Sequence, residues 1–262
     1  FPCVQVSHPD AVEEVLVEKH RSFIKDQGTR DLMEVLGNGL LTSEGDYWRR
    51  HRKLIAPLLQ RSKVNRYAEP IVVLAEQLVE RLASLPDRDS GHDVRHDFME
   101  LTFGIVMKAL FSKDIGAEVE QVEHDVEAVM VEFAKTVQTW VRAVPKWIPV
   151  AGRRRFAKAV AGLYSVTEGL IRERQAAPKG GEELISRLLD ARDEDGKAMT
   201  VEQLRDEALT MILAGHETTA LALTFAAWLL AQHPAVQASL HDEVSAVLGG
   251  AAPTAEDVER LP

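Results

Sequence analysis

Apolar residues recur along this chain at helical spacing, in long segments separated by short polar turns. The pattern predicts helices over residues 8–19, 46–59, 64–84, 94–111, 118–140, 150–176, 182–193, 200–232 and 234–248. The breaks fall at 86–91, 177–181, 193–196 and 249–253, where Pro, Gly, Asp and Ser gather and turn the backbone. Val4-Gln5-Val6 reads as a short strand ahead of His8-Pro9-Asp10. No internal repeat or low-complexity block interrupts the pattern, so the turns read as loops of one mainly α domain.

One run stands apart. Residues 208–231 hold a single formal charge, Glu217, in 24 positions. Strong helix formers flank it, so the run reads as a long buried helix of roughly 36 Å. A polar island inside such a helix is costly unless it is hydrogen-bonded or used. A membrane span and an ordinary core helix with satisfied polar groups are the plainer readings, and an intramembrane Glu argues against the first. The local chemistry favours a site. Thr218 follows Ala214 by four residues, so its hydroxyl can bond that carbonyl and disturb the ladder. Gly215 removes a side chain at the same place, and together they predict a widening that admits a small molecule. Glu217 beside Thr218 sets an acid next to an alcohol, a proton-delivery pair.

A second anomaly lies in residues 43–56. Wound at about 100° per residue, Trp48, Arg52, Ile55 and Leu59 fall on one stripe, which His51, Leu54 and Leu58 widen. Arg49, Arg50 and Lys53 lie opposite, toward solvent. Arg52 on an apolar stripe needs an anion to grip, either a carboxylate of this chain or an anionic ligand. His51 reads equally as a ligand contact and as a histidine at the edge of the core.

Composition changes the picture little. The chain has 262 residues, 45% hydrophobic and 27% charged, enough for one large core or two domains. Net charge is −10, yet residues 47–68 hold seven Lys and Arg and no acid. An acidic chain without a recognised DNA-binding motif disfavours nucleic acid as partner. A lone cysteine, Cys3, excludes an intramolecular disulfide. No signal peptide or membrane anchor is visible, which favours the cytoplasm.

Ala214-Gly215-His216-Glu217-Thr218-Thr219 resembles the oxygen-binding motif of the cytochromes P450, the haem-thiolate monooxygenases. Trp48-x-x-x-Arg52 resembles the helix whose Trp and Arg hold a haem propionate in that family. His8-Pro9-Asp10-Ala11 is similar to its early helix after a sheet strand. Residues 144–149, followed by Arg153-Arg154-Arg155-Phe156, are similar to the loop that roofs its substrate pocket.

The resemblance implies a mainly α cytochrome P450 fold, incomplete, with a small β element near the N-terminus. Residues 1–262 would be one partial domain truncated at both ends. It implies b-type haem, with Trp48, Arg52, His51, Ala214 and Gly215 at the cofactor and Glu217 and Thr218 as catalytic residues. It further implies O2, an apolar substrate, and an acidic electron-donor protein or reductase domain near Arg49, Arg50 and Lys53. Trp140, Trp147 and Ile148 would line substrate access, touch a membrane surface or simply pack.

One departure matters, because a haem-thiolate enzyme needs an axial cysteine. Cys3 precedes every helix and sits in no Gly-rich loop, so no metal ligand is assigned within the chain. The axial cysteine and the family's Glu-x-x-Arg helix are expected beyond Pro262. Glu18-Lys19-His20-Arg21 matches that spacing only by coincidence, since it precedes the Trp48 helix. The fragment alone is expected to be inactive. A P450-like isomerase or peroxygenase, and a helical scaffold without haem, are the rival readings.

Overall fold

The computed structural model describes residues 4–86, 91–114, 117–138, 151–178 and 180–261. Helix α1, Pro9–Glu13, starts on a proline and runs on as a wider π-type turn over Glu14–Glu18. Two short helices follow, α2, Gln27–Asp31, and α3, Met33–Leu36. Sequence periodicity misses both, because four or five residues carry too little pattern. The Asp26 side chain starts α2 by accepting from the Thr29 amide at 2.9 Å. Helix α4, Gly45–Ile55, tightens into a 3₁₀ turn over Ala56–Leu59, where Pro57 cannot donate to the α ladder.

The remaining helices are α5, Arg61–Val64; α6, Ala68–Ala83; α7, Val94–Phe111; α8, Ala117–Gln138; α9, Ala151–Ala176; α10, Leu184–Asp190; α11, Val201–Gln232; and α12, Pro234–Leu248. Each matches an expected segment except α5, a short turn of helix ahead of α6. The segment 64–84 begins as tight turns and becomes α6 only at Ala68. The segment 182–193 is shorter because Ala191 is already extended.

No strand occurs among the described residues, so the small β element expected near the N-terminus is not found. Val4-Gln5-Val6 has no ladder partner, and Val4 is 81% exposed. A strand exists only through hydrogen bonds to a neighbouring strand.

The core forms where α7 lies along α11, with α9 closing one side, α8 on α9 and α10 plugged between α7 and α9. Phe103, Met107 and Leu110 of α7 meet Leu204, Ala208 and Ile212 of α11 in one continuous cluster. Burying each large side chain is worth about 1.5–3 kcal/mol. A capping box holds the start of α11. Thr200 Oγ accepts from the Gln203 amide at 3.2 Å, and the Gln203 side chain accepts from the Thr200 amide at 2.9 Å.

Helix α11 corrects the expectation of a helix buried throughout. Its first half is core, but Phe225 and Trp228 in its second half are 60% and 58% exposed. No described element covers that side. The helix is long and apolar enough to cross a membrane. Its first half instead packs inside the helical core, with Asp206, Glu207 and His216 buried.

The turn at 37–40 is pressed onto α11. The Asn38 amide donates to Asp206 at 2.8 Å and the Leu40 amide to Glu207 at 3.0 Å. Gly37 takes φ +57°, and a Cβ on Gly39 would lie 2.7 Å from the Asp206 carbonyl oxygen, a backbone atom that cannot swing aside. Gly39→Ala is therefore expected to cost about 1–3 kcal/mol. The check is a lowered denaturant midpoint of unfolding with unchanged steepness.

Candidate active site

Helix α11 sorts the motif residues onto different sides. Ala214 and Thr218 are exposed on one open face, one turn apart. The Thr218 hydroxyl donates to the Ala214 carbonyl at 2.5 Å, the bond the spacing predicts. The expected widening does not follow, since α11 runs unbroken from Val201 to Gln232. A threonine can share a carbonyl with the backbone amide that already uses it, so the extra bond leaves the ladder closed.

Gly215 looks elsewhere. A Cβ there would come within 2.9 Å of Val106 Cγ2, so the glycine lets α7 approach. His216 is 2% exposed and meets Phe103 edge-on, with ring centroids 5.2 Å apart. Neither of its ring nitrogens makes a well-formed hydrogen bond among the described residues, the contact with the Met99 carbonyl being a weak one. Burial holds its pKa down at about 4; the Met99 carbonyl opposes the shift and Arg95 adds to it. Glu217 is half-buried, and its carboxylate has no hydrogen-bond or ion-pair partner among the described residues.

Helix α4 is rotated from the sequence reading. Its buried residues are His51, Leu54 and Ile55, while Arg52 is exposed and lies over the Trp48 ring at 5.4 Å. Leu59, expected on the apolar stripe, is 48% exposed. A helical wheel orders residues around the axis, but the neighbouring element decides which sector is buried. Here that element is α11. His51 is 0% exposed, and its Nδ1 lies 2.6 Å from Glu207 Oε1, with the Tyr47 ring stacked on it at 4.1 Å. The ring's other nitrogen, Nε2, is buried and has no hydrogen-bond partner among the described residues.

The basic stretch is mostly neutralised from within. Arg49 pairs with Asp46, Arg50 with Asp193, Lys53 with Glu194, Arg61 with Glu259 and Arg66 with Glu182. The outward residues Arg49, Arg50 and Lys53 are thus engaged with acids of this chain. Asp193 anchors its own turn, accepting from the Lys197 amide at 2.7 Å and the Asp195 amide at 3.1 Å. The Lys197 amide, helped by Arg50, keeps the Asp193 carboxyl below its usual range. Arg52 and Lys63 alone among the seven have no carboxylate partner among the described residues.

Three features escaped the sequence. Glu207 and Asp206 sit just before the apolar run 208–231. Lys25 donates to the carbonyls of Leu41 and Ser43 at 2.6 and 2.7 Å, and burial lowers its pKa. The available signals were an acidic pair opening an apolar helix and the Gly37-x-Gly39 spacing. Cys3, Trp140, Trp147, Ile148 and residues 144–149 of the expected roof loop lie outside the described residues, whereas Arg153-Arg154-Arg155-Phe156 fall in the first turns of α9. Among the described residues, no group of three His, Cys, Asp or Glu side chains could hold a metal ion.

Comparison with known proteins agrees with this layout. The family description Cytochrome P450 matches residues 2–262. Cyclooctatin synthase of Streptomyces melanosporofaciens is 35% identical across 100% of this chain and 56% of its own length. Cyclooctat-9-en-7-ol 5-monooxygenase of the same organism is 30% identical across 97% of this chain and 54% of its own. The crystal structure of the cytochrome P450DA heme domain superposes with a TM-score of 0.82 at 24% identity, over 97% of this chain and 56% of that one. The chain thus spans about 56% of the length of the first of these relatives. With a family match over nearly every residue and the same helical fold, the chain belongs to the cytochrome P450 family.

Proposed function

We propose that this chain is the propionate-binding and oxygen-side part of a haem-dependent monooxygenase acting on an apolar organic substrate. The observation that carries the reading is the open face of α11. Ala214, the smallest chiral residue, and Thr218 lie exposed there, just after the stretch Asp206–Thr210 that is wholly buried.

The residues present fit haem. Arg52 is a guanidinium without a carboxylate among the described residues, stacked on Trp48, and His51 Nε2 is a buried nitrogen without a partner. An anionic carboxylate edge would satisfy the exposed Arg52. Haem would supply the redox chemistry of O2 activation, with its axial thiolate from outside these residues. Trp48, Arg52 and His51 would hold and orient it on α4. Ala214 leaves space beside it, and Gly215 contributes by drawing α11 against α7. Glu217, half-exposed and without a partner among the described residues, would pass a proton between solvent and the site. The Thr218 hydroxyl, parked on the Ala214 carbonyl, can turn to take or pass that proton. Electrons would come from an acidic donor protein that competes for Arg49 and Lys53 with Asp46 and Glu194.

Thr218→Ala tests the reading in the full-length enzyme. Haem content and substrate binding should be unchanged. Product formed per reductant consumed should fall several-fold, within the 10²–10⁴ range of general acid–base contributions at most, with hydrogen peroxide released instead. An unchanged ratio would make Thr218 a packing residue and remove the proton relay.

A further inference from the structure

We infer that the groove between α4 and the turn after α10 receives an acidic segment of the electron donor, with Arg192 as an anchor beside Lys53 and Glu194 as a built-in occupant that the donor displaces. The inference rests on the donor reading above and adds to it the turn of residues 192–196.

One residue fastens this turn to α4. Asp193 Oδ1 accepts from the Lys197 and Asp195 amides, which shapes the turn, and Oδ2 meets Arg50 Nε at 2.6 Å. Only 9% of the Asp193 side chain is exposed. Glu194, the next residue, is held far less. Its side chain is 82% exposed, and its one partner among the described residues is Lys53 Nζ at 2.8 Å. An ion pair this open gains little in water and costs side-chain freedom to hold. Asp193 thus fixes the backbone, while Glu194 can leave Lys53 by a side-chain rotation alone.

Between the turn and the outward side of α4 lies an open groove of about 520 Å³. Buried Leu54 is the one apolar side chain in its lining. Sites for small organic ligands are mostly apolar, so this groove suits a charged segment of a protein. Three of its cations are matched by acids of the groove, Arg49 by Asp46, Arg50 by Asp193 and Lys53 by Glu194. The remaining acid, Asp195, faces Lys197 at 3.6 Å.

The remaining cation, Arg192, has no carboxylate partner among the described residues. Its Nη1 donates to the carbonyls of Leu189 and Ala191 at 2.7 and 2.8 Å, at the end of its own helix. Those bonds hold the guanidinium at the groove and leave Nη2 to an incoming acceptor. Once Glu194 swings away, Lys53 and Arg192 are the two cations there that no acid of the groove balances. A segment carrying carboxylates meets both, where α4 alone would offer one. Charges placed this way steer and orient an encounter more than they tighten it.

The experiment uses the full-length holoenzyme and two probes. One is a fluorescent deca-glutamate peptide, whose binding needs no haem chemistry. The other is a reduced plant-type ferredoxin, whose electron transfer is followed at the haem. Arg192→Gln and Lys53→Gln are each expected to weaken peptide binding about threefold at low salt, and Glu194→Gln to tighten it about threefold. Reduction rates should move in the same directions, and every effect should fade as salt is raised. In the Lys53→Gln background, Glu194→Gln should add nothing, because its departure no longer frees a cation. Arg61→Gln removes a charge of the same basic stretch outside the groove and should bind peptide as the wild type does. All four side chains are exposed, so folding should be spared. Wild-type peptide binding in Arg192→Gln or Glu194→Gln, or a Glu194→Gln effect that persists without Lys53, overturns the inference. If Lys53→Gln and salt slow reduction while the Arg192 and Glu194 variants match the wild type, the inference falls and the donor reading stands. If neither salt nor any of these variants alters reduction, the donor reading falls as well.

Discussion

Taking the protein from pH 7.5 to pH 4 is expected to remove about 3 kcal/mol of folding stability through His216 alone. Its pKa is about 4 in the fold, against 6.5 ordinarily. The unfolded chain therefore binds a proton that the folded chain refuses across that interval. Stability is fully present above pH 6.5 and is lost as pH falls toward 4; below that both states are protonated and the loss stops. The cause is desolvation, since the ring lies against Phe103 and neither nitrogen makes a well-formed hydrogen bond among the described residues. Denaturant unfolding at the two pH values, for the wild type and for His216→Leu, isolates the effect. The variant should lose the His216 part of the slope, whatever its absolute stability. Equal slopes would mean that a water or a moved side chain solvates the ring.

Arg52→Ala is expected to release haem 10–100-fold faster from the full-length protein, the scale of losing one or two hydrogen bonds to a charged group. Arg50→Ala should leave haem loss unchanged, although the residues are two apart. Arg50 is committed to Asp193 in the turn after α10, whereas Arg52 has only the Trp48 ring. Its loss should show as lower folding stability. Haem transfer to apomyoglobin separates the two, and the reverse result would mean that α4 presents its other side to the cofactor.

The comparison of these two arginines shows how much of the site was legible. Residue type and spacing sufficed to single out Trp48-x-x-x-Arg52 and residues 214–219, because each puts polar groups where a helical pattern calls for apolar ones. They sufficed also for the Thr218–Ala214 bond, which is local to one turn. They did not suffice for the partners of Arg50 and Lys53, since Asp193 and Glu194 lie some 140 residues away and only the folded chain brings them together.

The same division holds for the fold. The number, order and approximate length of the long helices were written in the 3.6-residue periodicity, a property of each segment by itself. So was the start of α11, where Thr200 and Gln203 cap their own helix. Which sector of each helix is buried was decided by tertiary contact. Helix α4 turns His51, not Arg52, inward because Glu207 waits on α11, and Gly215 exists for Val106 on α7. The strand expected at Val4-Gln5-Val6 fails for the same reason, since its stability belongs to a partner that no local pattern can supply. Local periodicity fixes what a segment can be; the burial of specific groups against one another, separated here by 156 positions for His51 and Glu207, fixes where its chemistry points.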